Sequence, residues 1–198
     1  VLNNIWIAIS TPNEGLLSIL TIPFTIIEAI LTAYLLKCIL NISSTTKQSI
    51  IYISIISITS LISMYTIPNP FNIFVNYVIM FFEIKLIFKI TNLKILLGIV
   101  LSALIFALIG ILISNPYLTL LDISSTEIET VPIYRIGYLL LIYLLLLIIS
   151  ITIKYRNLNL EIIEDLDKKN KYIIIANLAF GLITLLIQAI ITFYYTDK

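Results

Sequence analysis

The 198-residue chain is 60% hydrophobic and 12% charged, with a mean hydropathy of +1.10, a balance that excludes a soluble globular domain. Its 12 basic and 11 acidic residues nearly cancel and form no dense basic run, so charge gives no reason to expect a nucleic-acid partner. Histidine is absent, which removes the usual general base, the commonest metal ligand and the physiological-pH switch together. The single thiol, Cys38, can form neither an intrachain disulfide nor a structural zinc site and reads as a packing residue near a helix end. No cofactor is expected.

A helix needs about 20 mostly apolar residues to cross a bilayer, and six stretches qualify, which makes the expected fold an all-α, polytopic membrane bundle. In chain order they are about Leu16–Leu36, Ser49–Ile67, Phe71–Phe88, Ile95–Ile113, Ile133–Ile153 and Tyr172–Tyr195. Before the first, Val1-Leu2-Asn3-Asn4 lacks a basic region and no small-residue cleavage site follows, so no signal peptide is read and the first helix is expected to direct its own insertion. Gln48 to Phe82 carries no charge and is too long for one span; Pro68-Asn69-Pro70 divides it, because proline cannot donate to a helix and restrains the residue before it. Asn115-Pro116 is expected to close the fourth span in the same way. Although β-branched isoleucine is abundant, the apolar runs are continuous at membrane length and do not alternate as strands would.

Lysine and arginine set the expected orientation. The first, third and fifth connections hold Lys37, Lys47, Lys85, Lys89, Lys94, Lys154, Arg156, Lys168, Lys169 and Lys171, ten of the 12 basic residues, and are expected to be cytoplasmic. The alternate connections hold Arg135 beside Asp122, Glu127 and Glu129, and are expected to be external together with the N-terminus. Six spans from an external start leave Asp197-Lys198 external as well, which points to the front part of a longer protein with a seventh helix.

Three outward segments share rigid proline turns, asparagines and aromatic rings: Thr11-Pro12-Asn13-Glu14-Gly15, Ile67 through Asn72, and Asn115-Pro116-Tyr117 through Val131-Pro132-Ile133-Tyr134-Arg135. Each alone reads as helix termination and an aromatic belt; the three on one face read equally as a rim for a small amphipathic ligand. Glu28 falls near mid-membrane in the first span, where a carboxylate must face the bundle or a watery cavity and find a partner; Gln188 matches its depth, and Glu14 matches Arg135. A plain interhelical contact is an equal reading of Glu28. Glu83 and Lys85 are expected to snorkel to the headgroups. In the fourth span Gly98, Ser102, Ala103, Ala107, Gly110 and Ser114 form a small-residue stripe suited to close helix packing. The mixed-charge 161–169 segment reads as an amphipathic turn along the inner leaflet. The five glycines are scattered, so no phosphate-cradling loop occurs.

Trp6 through Gly15, Pro70-Phe71-Asn72, Asn115-Pro116-Tyr117 and Pro132 through Tyr138 together resemble the membrane sensor half of peptide-sensing receptor histidine kinases of the accessory gene regulator type. The resemblance covers essentially the whole chain. It implies a multi-span sensor followed by a cytoplasmic kinase, a short and sometimes cyclised peptide as signal, and a homodimer. On that basis Asn72, Tyr117, Tyr134 and Arg135 are the expected ligand-binding residues. The phosphoacceptor histidine and the ATP site of that family are absent from this chain, which is therefore not expected to be an enzyme by itself. The membrane peptidase of the same signalling systems resembles a His/Cys protease, and the lack of histidine excludes it. The alternative from another class is a small transporter or substrate-capture subunit, with Pro23 breaking the first helix and Glu28 binding a solute or proton.

Overall fold

The computed structural model describes residues 2–68 and 71–160, and in the last stretch residues 170, 172–174, 176, 177, 180, 181, 183, 184 and 187. Seven helices are defined among them: α1 (Leu2–Ser10), α2 (Glu14–Leu40), α3 (Thr46–Thr66), α4 (Phe71–Phe88), α5 (Asn92–Leu121), α6 (Ser125–Thr130) and α7 (Pro132–Tyr155). The described residues contain no strand. α2, α3, α4, α5 and α7 are each long and apolar enough to cross a membrane, which makes this a multi-pass membrane protein whose exposed apolar side chains, such as Ile19, Leu86 and Leu112, face lipid. Most of the sixth predicted span lies outside the described residues; those described within it are helical.

The five spans alternate in direction, so the bundle has an acidic end, with Glu14, Asp122, Glu127 and Glu129, and a basic end, with Lys37, Lys47, Lys85, Lys89, Lys94, Lys154 and Arg156. α2 is the hub: it packs on α3, α5 and α7, while α4 bridges α3 and α5 and α5 lies against α7. Gly181, in the last stretch, approaches Leu104 of α5.

Each helix boundary has a local cause. Asn13 caps α2 by accepting the Leu16 N–H at 3.0 Å, and Asn41 ends it in the left-handed conformation that asparagine tolerates. Thr45 and Gln48 form a reciprocal capping box at the start of α3. The α3–α4 hairpin turns near Pro68 and is clamped at both ends, by Ser63 Oγ donating to Asn76 Oδ1 at 2.9 Å and by Gln48 Nε2 donating to the Ile87 carbonyl at 3.2 Å. Ser124 and Glu127 make a second capping box at α6; the Ser124 backbone N–H donating to its carboxylate at 2.8 Å holds Glu127 below the usual carboxylate range.

The structure departs from the sequence-based expectation in three places. α5 does not stop at Asn115-Pro116 but continues to Leu121, and its 30 residues are about 45 Å long, so it outruns the ~30 Å hydrocarbon layer. Pro116 removes one helical hydrogen bond only, and the turns beyond it are held by Thr119 Oγ1 on the Asn115 carbonyl and by the Tyr117 hydroxyl on the Tyr134 carbonyl, both at 2.8 Å. Residues 2–10 form a helix, α1, about 13 Å long and therefore not a span, which lies against α7. Glu83 does not snorkel: it is 6% exposed and faces the bundle with Met80 and Ile84, whereas Lys85, two residues and some 200° further round the helix, is exposed.

The tightest packing is at the basic end. Leu35, Leu36, Ile39 and Leu40 of α2 interlock with Ile84 of α4, Ile95 of α5 and Leu146 of α7, all essentially inaccessible. Leu160 folds back and donates its N–H to the Ile39 carbonyl at 2.8 Å. Gly98 permits the closest helix contact, since a Cβ there would meet Leu40 Cδ2 at 2.6 Å. Lipid tails are as apolar as leucine, so the gain comes from close contact and not from leaving water. Of the small-residue stripe, Gly98, Ser102 and Ala103 are buried as packing residues, while a Cβ on Gly110 would meet nothing within 4 Å.

Gly98→Val is therefore expected to overpack the α2–α5 contact and destabilise the bundle by about 1–3 kcal/mol, while Gly110→Val is near neutral. Thermal unfolding in detergent measures both; equal midpoints for the two variants would remove Gly98 from the packing account.

Candidate functional site

The acidic half of the bundle contains a cleft between α2, α3 and α7. On α2, a polar stripe runs through an otherwise apolar helix: Thr21, Thr25 and Glu28 lie with Leu17, Leu20 and Phe24 at intervals of three and four residues, on one face. Arg135, Ile136, Leu139 and Tyr143 form the same pattern on α7, and Met64 of α3 completes the wall. The volume is about 110 Å³. For comparison, an apolar cavity of ~150 Å³ accepts a benzene ring, so the cleft accommodates one side-chain-sized group or a few waters and not a whole peptide.

α2 is specialised beside this cleft. Pro23 has no N–H to give the Ile19 carbonyl, and Thr21 and Thr25 turn their hydroxyls back onto the Leu17 and Thr21 carbonyls, each at 2.9 Å. The Phe24 carbonyl also accepts the Tyr143 hydroxyl of α7 at 3.1 Å, and the two rings pack at a centroid distance of 6.2 Å. Backbone that a regular helix would close on itself is here shared with side chains of the wall.

Two opposite charges occupy the cleft without meeting. Glu28 lines its inner end, ~21 Å along α2 from Glu14 by helical rise, on a part of the helix surface that is exposed, and Arg135 lies at its mouth, in the first turn of α7. Among the described residues neither side chain forms a hydrogen bond or ion pair; Tyr143 lies in the field of both charges, and Tyr77 of α4 is also within reach of Glu28. The position of Arg135 is adverse in one further respect, because a cation at a helix N-terminus opposes the macrodipole. A guanidinium held there with no described carboxylate partner is available to an incoming anion or carbonyl.

α1 and α6 pack against α7, and the two are tied together by one residue. Asn13 donates its backbone N–H to the Thr130 carbonyl at 3.1 Å and its side-chain amide to the Ala8 carbonyl at 3.4 Å, while its side-chain oxygen caps α2. Ile5, Trp6 and Ile7 of α1 remain exposed.

Of the four residues expected to bind a ligand, Arg135 alone lines the cleft. Tyr117 joins α5 to α7: its hydroxyl holds the Tyr134 carbonyl, its ring packs on Tyr138 at 5.6 Å, and Gly137 admits it, since a Cβ there would lie 2.6 Å from the hydroxyl. Tyr134 supplies that carbonyl and is half-buried near the mouth. Asn72 is buried at the start of α4, its Oδ1 without a hydrogen-bond partner among the described residues. Glu28 is a cleft residue; Gln188, its expected partner, lies outside the described residues, and Arg135 forms no ion pair with Glu14. Sequence reasoning missed Thr21, Thr25 and Tyr143. The spacing of Thr21, Thr25 and Glu28 carried the signal for α2, but nothing local reveals that α7 is the facing helix.

Among the described residues no group of three or more acidic or cysteine side chains could hold a metal ion. No family model matches the chain, and no curated protein or solved structure is significantly similar to it.

An ionisable group near mid-membrane costs on the order of 2.5–3.5 kcal/mol on insertion scales and an amide has no charge to desolvate, so Glu28→Gln is expected to maintain or raise the thermal midpoint. Tyr143→Phe deletes the bond to the Phe24 carbonyl and is expected to destabilise by about 1 kcal/mol. A clear drop in the Glu28→Gln midpoint would show that the carboxylate has a partner and is not waiting for one.

Proposed function

We propose that this chain is the membrane-embedded ligand-sensing domain of a sensor histidine kinase, detecting a short extracellular peptide and passing the signal to a cytoplasmic kinase domain. The observation that carries this reading is the cleft with Arg135 at the mouth, which has no ion-pair partner among the described residues, and Glu28 at the inner end. The resemblance in Trp6–Gly15 and Pro132–Tyr138 supplies the class of ligand.

In this reading the protein sits in the cell membrane with the basic end cytoplasmic, in accord with the lysine and arginine asymmetry, and with the acidic end and the N-terminus external. One apolar side chain of the peptide enters between α2 and α7 and meets Phe24 and Tyr143, while Arg135 takes a carbonyl or carboxylate in its planar fork. The rest of the peptide stays on the rim beside Tyr134, α1 and α6. Seating a side chain there changes the separation of α2 and α7, and the tightly packed basic end carries that change towards the cytoplasm as a shift between two packings. A homodimer is the assembly that such receptors use, and phosphoryl transfer belongs to the kinase domain, not to this chain.

Glu28, which has no partner among the described residues, favours a second reading, a small transporter or substrate-capture subunit in which the carboxylate binds a cationic solute or a proton below the Pro23 break.

The discriminating experiment is peptide-dependent autophosphorylation of the full-length protein. Arg135→Ala is expected to raise the peptide concentration for half-maximal response about 30-fold, the size of a 2 kcal/mol contact residue, with membrane insertion and basal activity near wild type. Thr25→Phe, which fills the cleft, is expected to weaken the response similarly. If both variants respond at the wild-type peptide concentration, the peptide binds elsewhere; if the full-length protein carries no kinase activity, the transporter reading takes over.

A further inference from the structure

A second cavity lies at the opposite, basic end of the bundle and differs in chemistry from the cleft. It is larger, about 340 Å³, within the ~300–1,000 Å³ range of small-molecule sites. Its walls are the last turn of α2, the connection after it, and the end of α7 with the residues that follow. Lys37 and Lys154 enter from the two helices, and Ser43, Ser44, Asn41 and Asn157 supply hydroxyl and amide groups between them. Among the described residues no acidic side chain lines it.

Each ammonium group has a neutral neighbour. Lys37 Nζ donates to Ser49 Oγ at 2.9 Å, and Lys154 Nζ sits 5.9 Å from the centre of the Tyr34 ring. Among the described residues neither is ion-paired. Cys38, on the cavity wall between them, experiences the charge of both lysines, so their fields converge on one concavity. Lysine in a last helical turn is ordinarily explained by the helix dipole or by diffuse attraction to lipid. Neither explanation requires two lysines from different helices to face one polar hollow.

We propose that this cavity recognises a phosphate group, carried either by an anionic phospholipid headgroup or by a free phosphate. Three features support the assignment. Two positive charges meet a dianion or monoanion with no carboxylate among the described lining residues; hydroxyl and amide groups surround them; and the hollow opens at the helix ends, the level at which a bilayer presents its phosphates. Occupancy would tie α2 to α7 at the basic end, complementing the bond from the Leu160 N–H to the Ile39 carbonyl. The proposal does not depend on the peptide-sensing reading.

The test uses the purified full chain in nanodiscs of phosphatidylcholine with a minor fraction of phosphatidylglycerol, followed by native mass spectrometry of the lipids retained on mild delipidation. Phosphatidylglycerol is expected to be enriched roughly 10- to 30-fold over its bulk fraction, the size that two near-surface lysines confer together. The enrichment should fall to near parity in Lys37→Gln/Lys154→Gln and persist in Lys37→Arg/Lys154→Arg and in Lys85→Gln/Lys89→Gln, lysines of the same end that lie outside the cavity. The second arm titrates inorganic phosphate against protein in pure phosphatidylcholine and follows the ³¹P linewidth; broadening that disappears in the Lys37→Gln/Lys154→Gln variant identifies free phosphate as the source. The proposal is overturned if neither probe distinguishes wild type from that variant, or if Lys85→Gln/Lys89→Gln has an equal effect, which would reduce the site to diffuse surface charge. Unchanged helicity and thermal midpoint of each variant exclude unfolding as the cause of any loss.

Discussion

Helices immersed in hydrocarbon gain nothing from hiding apolar surface from one another, so close contact and a small number of polar bonds decide where a membrane bundle is tight. In this protein that constraint is met at the basic end. Gly98 lets Leu40 lie directly on the α5 backbone, the Gln48 amide reaches the Ile87 carbonyl, and Leu160 returns to Ile39. Towards the acidic end, α2 carries Pro23, two threonines that bond their own helix, and Glu28, none of which closes a seam with α7. The cleft lies where the packing devices stop.

Both readings of function draw on this asymmetry. A cleft closed at depth by a tight core presents Arg135 and Glu28 to whatever enters from the acidic end, and the Tyr143–Phe24 contact links the walls at the point where the two charges are separated. Tyr117 belongs to a different part of the design. It fastens the overhanging end of α5 to the first turn of α7, which fixes the backbone from which Arg135 projects. Asn13 does the same for α1, α2 and α6, so the residues around the mouth are positioned by two small polar knots.

Five of the predicted spans could be read from the sequence because membrane length and charge placement are local properties. The α3–α4 break at Pro68 was legible for the same reason. The continuation of α5 through Pro116 was not, since it depends on Tyr117 finding the Tyr134 carbonyl, 17 residues away in sequence and on another helix. The short helices α1 and α6 lack the length that makes a periodic signal clear. The candidate site was half legible: Arg135 and Glu28 stood out as charges in apolar surroundings, but their common cleft depends on which helix faces α2. Sequence reasoning paired Arg135 with Glu14 by depth alone, and depth does not specify the neighbour. Glu83 was misjudged because distance from the helix end was weighed and helical phase was not; its phase turns it inward while Lys85 turns out.

The central claim is that a watery cleft between α2 and α7 opens to the outside of the cell. Single cysteines in a Cys38→Ser background, labelled on intact cells with a membrane-impermeant maleimide, test it directly, because a thiol reacts only where water can ionise it. Thr21→Cys and Thr25→Cys, on the cleft wall, are expected to label; Ile22→Cys and Ile26→Cys, one position on and facing lipid, and Thr32→Cys, buried in the tight half, are not. Labelling at 22 and 26 as fast as at 21 and 25, or labelling of the cleft positions only after the cytoplasmic side is exposed, would contradict the account.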